Sequence, residues 1–521
     1  MNKLKEFLNL CLGYAKRCVR KFLNELSGLM NRYLSDRKGY REVLKLIDQM
    51  PQSNGTRIFT RENVRVGIVA DTFILENFAP TCHMTCLKPD TWDSQLKEVD
   101  CVLIVSAWRG ESGEWAGLAK HGSEISQKLI ALMQGAKAAG LPVLFYSKED
   151  PPNYQHFLPY AQQADYIFTS AQEAIVWYEQ DCPGIPVQVL TFAINPMLHN
   201  PIGSEGVKKE KTVFFAGSWM PKYPDRIRMQ KLYFKWIRRA GMNFSIADRN
   251  FERKEFRYSY PVKYIPRVMA SFTYHQVSAL YKIFPWIMNF NSVNQSQTMF
   301  AMRVYDACAC GAHVISNESP GMQRIFPEVA VIHSYEDLHQ AVNKPAEQLT
   351  REKLQAIRRI LAQDTVYHRM QQMLQTAGIP VVGDDKPLVG VLLDPKLTEE
   401  DKNRCREQFA AQSWDNKRLA ETPEALEGCR IVTVWGSGRT YGEFYLEDMV
   451  GGFKYTDCDY ITKSETLQPH SYCDRITDPY ATVFWADTLK IAALTEIPEE
   501  GIQLPNGYVS DRENYQHTIR D

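Results

Sequence analysis

One carboxylate, that of Asp306, lies in a stretch at 297–317 whose residue order predicts a polar N-cap, a short helix, a glycine stop and a buried strand. A second turn follows at 318–321. We expect this order to place the carboxylate and several backbone N–H groups at the carboxyl edge of a parallel sheet, where open α/β sheets bind nucleotides. An acid there accepts hydrogen bonds from ribose hydroxyls. The alternative is an exposed pair between Asp306 and Arg303 on one helix face.

Small residues and cations at another strand end suit a diphosphate. Gly217 and Ser218 follow a predicted strand and allow a ligand to approach the backbone closely. Lys222 and Arg226 follow within one loop and the start of a helix. Cations at such an edge compensate the charge of a departing nucleoside diphosphate.

A group of acids and aromatic residues follows an earlier predicted strand. Glu111 and Glu114 lie between Trp108 and Trp115, with Arg109 beside them. Tryptophan rings stack on sugar faces, and carboxylates bind hydroxyls or act as a base. The pattern therefore suits a sugar acceptor. The alternative is a structured loop whose tryptophans belong to the core.

Three more residues in the same region follow predicted strands. Asp71 ends one strand, and Asp150 and His156 come after another. An imidazole or a carboxylate at such a place can bind an acceptor hydroxyl or take its proton. A lone histidine is more often structural, so both interpretations of His156 stay open.

These residues need an α/β scaffold to position them. Continuous apolar runs alternate with helical segments, which predicts parallel sheets buried on both faces. One Rossmann-like domain is expected at 61–205 and a second at 206–380, the second ending in a long helical region at 349–378. A smaller α/β domain is expected at 387–521.

A pair of acids marks the smaller domain. Asp457 and Asp459 are one residue apart, and we expect them to follow a strand. Carboxylates with this spacing suit a hard divalent cation such as Mg²⁺ or Mn²⁺. The cysteines at 82–86 lack a second ligand pair, which argues against zinc there.

The segment 1–60 is predicted to be helical, and it begins as a basic amphipathic helix. Apolar residues recur there at helical spacing, namely Leu4, Phe7, Leu8, Cys11, Leu12, Ala15, Val19, Phe22, Leu23 and Leu26. The charged residues between them are Lys3, Lys5, Lys16, Arg17, Arg20 and Lys21, against Glu6 and Glu25. Two interpretations stay open: residues 1–35 bind an anionic membrane surface, or the helix packs on the protein body or on a partner subunit.

Composition argues against some function classes. The 521 residues include 61 Lys+Arg and 61 Asp+Glu, so the net charge of zero gives no bias toward nucleic acid. The sequence has no uninterrupted apolar run of about 18 residues, so we expect no transmembrane helix. Twelve scattered cysteines and the lack of a signal peptide favour a reducing cytoplasm.

The stretch at 297–317 also resembles a segment of nucleotide-sugar glycosyltransferases of the two-Rossmann (GT-B) type, close to the CgeB-like proteins. In that family a pattern similar to T-M-F-x-x-R-V-F-E-x-x-A-C-G-x-x-V-I-S carries the donor nucleotide. The matching residues are Thr298, Met299, Phe300, Arg303, Val304, Tyr305, Asp306, Ala309, Cys310, Gly311, Val314, Ile315 and Ser316. The family acid is usually Glu, whereas this chain has Asp306. The overall pattern covers 61–378 and is specific at 212–228 and 296–321.

The resemblance implies a donor site and the way in which it works. Its expected residues are Gly217, Ser218, Lys222, Arg226, Thr298, Arg303, Asp306, Ser319, Gly321 and Met322. GT-B enzymes stabilise the departing diphosphate with cations and helix N-termini, so no metal or other cofactor is required there. The first Rossmann-like domain is then expected to hold the acceptor.

The smaller domain resembles part of a family-2 (GT-A) glycosyltransferase at 412–416, 441–448 and 453–460. In that family a D-x-D pair binds a divalent metal and the donor diphosphate, which the resemblance assigns to Asp457 and Asp459. The domain is short for that family. We therefore expect a degenerate or accessory GT-A-like domain rather than a second active site.

Together these features predict a glycosyltransferase of the hexosyltransferase type, with its transfer cleft between the two Rossmann-like domains. It would move a sugar from a nucleotide-diphosphate sugar to a glycan, protein or lipid-linked acceptor, in the synthesis of a bacterial envelope or surface polysaccharide. We expect it in the cytoplasm or at the inner face of the cell membrane. The alternative is a non-catalytic glycan- or partner-binding protein that retains the folds.

Overall fold

The computed structural model describes residues 2–253, 255–383, 386–488 and 491–517, with side chains for all of these except 2–13 and 491–493. By its internal contacts the chain divides into two compact units. Unit 1 consists of Met1–Met50, Val207–Gln295 and Gly311–Lys353. Unit 2 consists of Pro51–Gly206, Ser296–Cys310 and Leu354–Asp521.

Two helices, α1 (Asn2–Leu34) and α2 (Arg37–Asp48), begin unit 1. Asp36 caps α2, because its carboxylate accepts a hydrogen bond from the backbone N–H of Gly39. The apolar and charged residues predicted before Tyr14 lie outside the part of the chain whose side chains are described. Within the described residues, no helix is both long and apolar enough to cross a bilayer.

The first sheet lies in unit 2 and is entirely parallel, with strand order β2-β1-β3-β4-β5-β6. Its strands are β1 (Arg65–Val69), β2 (His83–Cys86), β3 (Cys101–Val105), β4 (Val143–Ser147), β5 (Tyr166–Thr169) and β6 (Val187–Val189). The helices between them are α3 (Thr72–Phe78), α4 (Trp92–Gln95), α5 (Glu124–Ala138), α6 (Tyr154–Ala161) and α7 (Ile175–Asp181). The strand order reverses between β1 and β3, so the loops after these strands border a crevice of the kind that binds ligands.

The second sheet lies in unit 1 and is also parallel, with strand order β12-β11-β10-β7-β8-β9. Its strands are β7 (Thr212–Ala216), β8 (Asn243–Ala247), β9 (Val268–Met269), β10 (Trp286–Asn289), β11 (His313–Ser316) and β12 (Ala330–Val331). The helices along this stretch are α8 (Pro224–Arg239), α9 (Tyr274–Ile283), α10 (Arg303–Ala309), α11 (Pro320–Ile325) and α12 (Tyr335–Val342). Of these, α10 belongs to unit 2. The predicted α/β class with Rossmann-like parallel sheets is confirmed.

The helical region expected at 349–378 is confirmed, and it consists of two helices, α13 (Ala346–Gln363) and α14 (Val366–Thr376). The break lets the backbone pair with Ile194. The N–H of Ile194 donates to the carbonyl of Asp364, and the N–H of Val366 donates to the carbonyl of Ile194. Side chains of α14 then complete the apolar core beneath the first sheet.

The third sheet belongs to unit 2 and is mixed, with strand order β14-β13-β15-β19-β17-β20-β18. Its strands are β13 (Val389–Leu393), β14 (Lys417–Ala420), β15 (Ile431–Trp435), β17 (Tyr460–Thr462), β18 (Ser471–Ile476), β19 (Thr482–Trp485) and β20 (Ile502–Val509). Helices α15 (Glu399–Ala410) and α16 (Tyr445–Phe453) flank it, and β16 (Arg439–Tyr441) pairs separately with β21 (Tyr515–His517). Strand β19 is antiparallel to both of its neighbours, so β15 and β17 run in the same direction.

Candidate donor and acceptor sites

Neutral polar side chains line the carboxyl edge of the second sheet, where β10 and β11 end. Asn289 donates from Nδ2 to Asn291 Oδ1 at 2.9 Å and to Ser316 Oγ at 3.0 Å. The N–H of Asn291 donates to Asn317 Oδ1 at 2.7 Å. Asn289, Asn291 and Ser316 are buried. This network fixes the two loops after adjacent strands, and sequence reasoning missed it. The asparagines that follow β10 were the available signal.

Gly217 and Ser218 lie at the same edge, directly after β7. A Cβ at Gly217 would come 2.4 Å from the Phe215 ring, so any larger residue would force that buried ring to move. The Gly217 carbonyl accepts a hydrogen bond from the Tyr260 hydroxyl at 2.8 Å. Ser218 is buried. The backbone at Gly217 is therefore fixed in position, and the lack of a side chain there allows a ligand to approach the backbone closely.

Arg226 brings a cation to this edge from the first turn of α8. Its Nη1 donates to Ser292 Oγ, in the loop after β10, at 3.1 Å. Lys222 is exposed, and its ammonium lies 4.7 Å from the centre of the Tyr223 ring. The structure thus brings Gly217, Ser218 and Arg226 to one sheet edge, as predicted.

The turn after β11 contains three more predicted residues, which are all buried. Ser319 caps α11 by accepting a hydrogen bond from the Met322 N–H at 3.5 Å. The Met322 sulfur accepts a hydrogen bond from Asn291 Nδ2 at 3.8 Å. Gly321 lies in the first turn of the same helix. These buried residues form the turn that follows β11 at this edge of the sheet.

The stretch at 297–317 is divided between the two units, which sequence reasoning did not foresee. Thr298 is in unit 2, where its hydroxyl donates to the Ser170 carbonyl at 2.9 Å and accepts from the Gln172 N–H at 2.8 Å. Asp306 is 3 % exposed, and its Oδ1 lies 3.7 Å from His199 Nε2. Because Asp306 is buried, the alternative prediction of an exposed pair between Asp306 and Arg303 is wrong.

The local structure of that stretch agrees only in part with the expectation. The glycine stop is confirmed, since Gly311 has a φ of 81° directly after the helix. The buried strand is confirmed as β11. The polar N-cap is wrong, because α10 begins at Arg303 and the cap residue, Met302, makes no side-chain cap hydrogen bond.

Asp71 organises the carboxyl edge of the first sheet. Its carboxylate accepts hydrogen bonds from the N–H groups of Trp108, Arg109 and Gly110 at 3.0–3.2 Å. Lys148, whose side chain is 3 % exposed, lies 3.4 Å from the same carboxylate and compensates its charge. Asp71 therefore positions the loop after β3. Sequence reasoning missed Lys148, because a single lysine directly after a strand matches no recognisable motif.

Two residues predicted for sugar contact have structural roles in the same loop. The Glu114 carboxylate accepts hydrogen bonds from the N–H groups of Glu111 at 3.0 Å and Ser112 at 2.7 Å. Trp115 is 1 % exposed, and its indole N–H donates to the Leu87 carbonyl. The prediction that Trp115 stacks on a sugar is wrong, because its ring lies in the core.

Four predicted residues of this edge are exposed. They are Trp108, Arg109, Glu111 and His156. Trp108 as a whole residue is 37 % exposed, and its ring packs edge-on against His156 at 6.1 Å and against Phe157 at 5.3 Å. An aromatic side chain with an imidazole beside it, in a loop that also carries the exposed Glu111, can stack on a sugar and accept a hydroxyl proton.

Asp150 does not belong to this exposed group. It is fully buried, and its Oδ2 accepts hydrogen bonds from the hydroxyls of Thr169 at 2.7 Å and Tyr178 at 3.0 Å. Burial raises the pKa of Asp150 to about 6, and these hydroxyls oppose that rise. Its prediction as an acceptor ligand is wrong, because the carboxyl group has no access to a substrate.

Arg57 occupies the place where a metal was predicted. Its guanidinium forms ion pairs with Asp459, with Asp457 at 3.1 Å and with Asp487 at 3.4 Å. The two predicted ligands precede β17 rather than follow a strand, which puts them at the edge opposite the carboxyl ends of β13 and β15. In the part of the chain with described side chains, no three His, Cys, Asp or Glu residues are grouped to hold a metal ion.

Comparison with known proteins is informative for this geometry. Residues 227–375 match the sequence model of the family described as glycosyl transferase-like. The chain contains a glycosyltransferase region. The matched residues include most of the second sheet with its carboxyl edge. No curated protein matches the chain.

Solved structures of several glycosyltransferases are similar to this chain. Anabaena HepE with UDP and glucose is 10 % identical over 61 % of this chain and 100 % of its own, with a TM-score of 0.41. An alpha-glucosyltransferase with UDP and a DNA 13-mer is 12 % identical over 60 % and 99 %, with a TM-score of 0.43. The pneumococcal O-GlcNAc transferase GtfA with UDP and GlcNAc is 12 % identical over 55 % and 59 %, with a TM-score of 0.34.

Proposed function

We propose that this glycosyltransferase moves a hexosyl group from a nucleoside-diphosphate sugar to a hydroxyl of a glycan, protein or lipid-linked acceptor. One observation carries the proposal. The family match at 227–375 begins next to Arg226 and contains the carboxyl ends of β8 to β12, and that arginine brings its cation to the same edge.

The donor diphosphate would bind at this edge. Arginine binds phosphate oxygens bidentately, and a charge-assisted hydrogen bond is about twice as strong as a neutral one. The Arg226 guanidinium can therefore exchange the Ser292 hydroxyl for a phosphate. Lys222 adds a second cation in the preceding loop. Positive charge on the protein would then stabilise the leaving diphosphate without a metal ion.

The proposed donor edge omits Asp306. Its carboxylate is buried and faces His199, whereas a ribose ligand needs an accessible acceptor. The half-buried amide of Asn317, directly after β11, is better placed, because it is hydrogen-bonded to Asn291 in the loop that also carries the Arg226 contact. Mutational tests of donor binding should therefore begin with Arg226 and not with Asp306.

The acceptor would bind at the carboxyl edge of the first sheet. The Trp108 ring offers an exposed face for a sugar, and Glu111 and His156 are accessible groups that can receive the hydroxyl proton. Asp71 and Glu114 hold the loop that carries these groups by accepting hydrogen bonds from five of its backbone N–H groups.

Nucleotide binding tests the donor half of the proposal. We expect isothermal titration of the full chain with UDP, GDP and CDP to show binding of one of them. Arg226→Ala should weaken that binding by about tenfold or more, because a hydrogen bond to a charged group contributes about 1.5–3 kcal/mol. Arg228→Ala is the matched control, since Arg228 is 72 % exposed and pairs with Asp225 on the same helix.

The possible results separate the proposal from its alternative. A folded chain that binds none of the three nucleotides would contradict a nucleotide-sugar transferase. A chain that binds one of them but hydrolyses none of its sugar derivatives would be a glycan- or partner-binding protein that keeps the fold. Hydrolysis without added Mn²⁺ supports the metal-free donor edge, whereas strict dependence on Mn²⁺ would point to Asp457 and Asp459.

The cellular setting is part of the proposal. The resemblance to GT-B enzymes of the CgeB-like type supports a role in bacterial envelope or surface polysaccharide synthesis from the cytoplasmic side. The third sheet, with Arg57 paired to Asp457 and Asp459, supports an accessory GT-A-like domain rather than a second active site.

A further inference from the structure

The second half of α1 is attached to unit 1 through polar side chains. The Asn24 side chain accepts a backbone hydrogen bond, and Asn31 donates one to a backbone carbonyl, both with the segment 251–259. The hydroxyls of Ser27 and Ser259 are hydrogen-bonded. Ser27 and Asn31 are buried. The side of an amphipathic helix that usually meets a protein core is apolar, and here that side is polar.

The apolar stripe of α1 faces away from this attachment. Its members recur at helical spacing and are exposed, namely Val19 (58 %), Phe22 (64 %), Leu26 (37 %), Leu29 (51 %) and Tyr33 (71 %). With 3.6 residues per turn, the centre of this stripe is about 150° away from the centre of the polar attachment side. The helix therefore presents to its surroundings the residues that a packed helix buries.

The exposed part of α1 is strongly basic. Residues 14–22 are all exposed. Between 14 and 34 the only acid is Glu25, and the cations are Lys16, Arg17, Arg20, Lys21 and Arg32. A basic helix with an apolar stripe lies in the plane of a membrane surface, where lipid takes up the stripe and anionic headgroups meet the cations.

The segments that contact α1 also expose apolar and basic side chains. The short helices Phe256–Tyr258 and Val262–Arg267 both contact α1. They expose Phe256 (42 %), Val262 (58 %) and Lys263, which repeat the combination of apolar and basic side chains.

We propose that residues 14–34 of α1 lie flat on an anionic lipid surface, with the stripe from Val19 to Tyr33 inserted at the boundary of headgroups and acyl chains. A second copy of the chain would also cover apolar residues. It would, however, bring together two helices that each carry five cations and one acid, and like charges repel. Anionic lipid removes that repulsion. The proposal does not depend on the transferase activity.

Vesicle flotation of the full chain tests the proposal. We expect flotation with vesicles that contain phosphatidylglycerol, and much less with pure phosphatidylcholine. Raising the salt concentration should weaken it, because salt screens the charge attraction. Phe22→Glu with Leu29→Glu should reduce the bound fraction by about tenfold or more, since it removes apolar contact and adds negative charge.

Two further variants make the result specific. Val176→Glu with Val382→Glu is the matched control, because these valines are 55 % and 67 % exposed in unit 2, and we expect its flotation to equal that of the wild type. Lys16, Arg17, Arg20 and Lys21 changed together to Gln should also abolish the preference for anionic lipid. Circular dichroism checks that each variant is folded.

Two results would overturn the proposal. One is equal flotation of the wild type and the Phe22→Glu, Leu29→Glu variant. The other is no flotation of the wild type, together with a dimer in sedimentation analysis that the same variant converts to a monomer. The second result would identify the stripe as an interface between copies of this chain.

Discussion

Arg358 donates two hydrogen bonds to the carboxylate of Asp448, from Nε at 2.6 Å and from Nη2 at 3.0 Å. The pair joins α13 to α16 within unit 2, and both side chains are largely buried, at 13 % and 4 % exposure. Asp448 also accepts a hydrogen bond from Asn514 and lies 3.9 Å from the Lys463 ammonium. The region after the second sheet is thus fastened to the third sheet by a buried charge pair.

Breaking this pair from one side should be costly. Arg358→Met leaves the Asp448 carboxylate buried with weaker compensation, so we expect a loss of about 3 kcal/mol in the free energy of unfolding. Urea unfolding followed by fluorescence measures it. Lys386→Met is the control, because its partner Asp415 is 73 % exposed, and it should change stability by less than about 1 kcal/mol. Equal effects of the two variants would contradict the structural assignment.

Two nearby glutamates should respond differently to the same change. Glu111→Gln removes an exposed carboxylate that can accept the acceptor proton, and we expect kcat to fall about 100-fold or more with little change in stability. Glu114→Gln weakens two backbone hydrogen bonds that hold the loop, so it should mainly raise the KM for the acceptor and lower the thermal midpoint. Steady-state kinetics separates these effects. If Glu111→Gln keeps full kcat and His156→Asn does not, the base is His156.

Asp150 should make stability depend on pH in the acidic range. Burial raises its pKa from 3.8 to about 6, so between these values the folded state holds a proton that the unfolded state releases. The contribution of Asp150 to stability is therefore greatest below pH 3.8, falls as pH rises toward 6, and stays low above that. The shift corresponds to about 3 kcal/mol.

Replacing the carboxyl group by an amide isolates this effect. Asp150→Asn keeps an acceptor for Thr169 and Tyr178 and cannot ionise. We expect the stability of the variant relative to the wild type to rise between pH 4 and pH 6, as measured by denaturant unfolding at each pH. A difference that does not change with pH would show that Asp150 titrates normally.

The acids near Arg57 should not be needed for catalysis. Asp457→Asn with Asp459→Asn removes two ion pairs of one guanidinium, so we expect a lower thermal midpoint and unchanged hydrolysis of the nucleotide sugar. Treatment with a chelator should likewise leave hydrolysis unchanged. A loss of activity in the double variant that parallels a loss of Mn²⁺ binding would restore the metal prediction.

The sequence predicted the two parallel sheets well, because fully buried strands such as β3 and β4 are continuous apolar runs between helices. It missed β2, whose residues His83–Cys86 are only partly buried and lack such a run. It also missed most strands of the third sheet. Short strands such as β17 have three residues, which is too few to show a periodicity.

The candidate sites were predicted less well than the fold. A position directly after a strand predicts the sheet edge at which a residue lies, but not whether its side chain is exposed. Arg226 and Trp108 lie at their predicted edges and are accessible to some degree. Asp150 and Trp115 follow strands equally clearly, but their side chains turn into the core. Only tertiary packing distinguishes these cases. For the same reason, no local pattern could show that Arg57 would reach Asp457 from 400 positions away along the chain.

The break between α13 and α14 has a consequence for how the protein is made. The last strand of the first sheet ends at Val189, but five side chains of its apolar core come from α14. These are Val366, Tyr367, Met370, Met373 and Leu374. During synthesis the ribosome must therefore deliver the whole of the second sheet before the first can close its core. A fragment that stops at residue 205 would emerge with that core open to water.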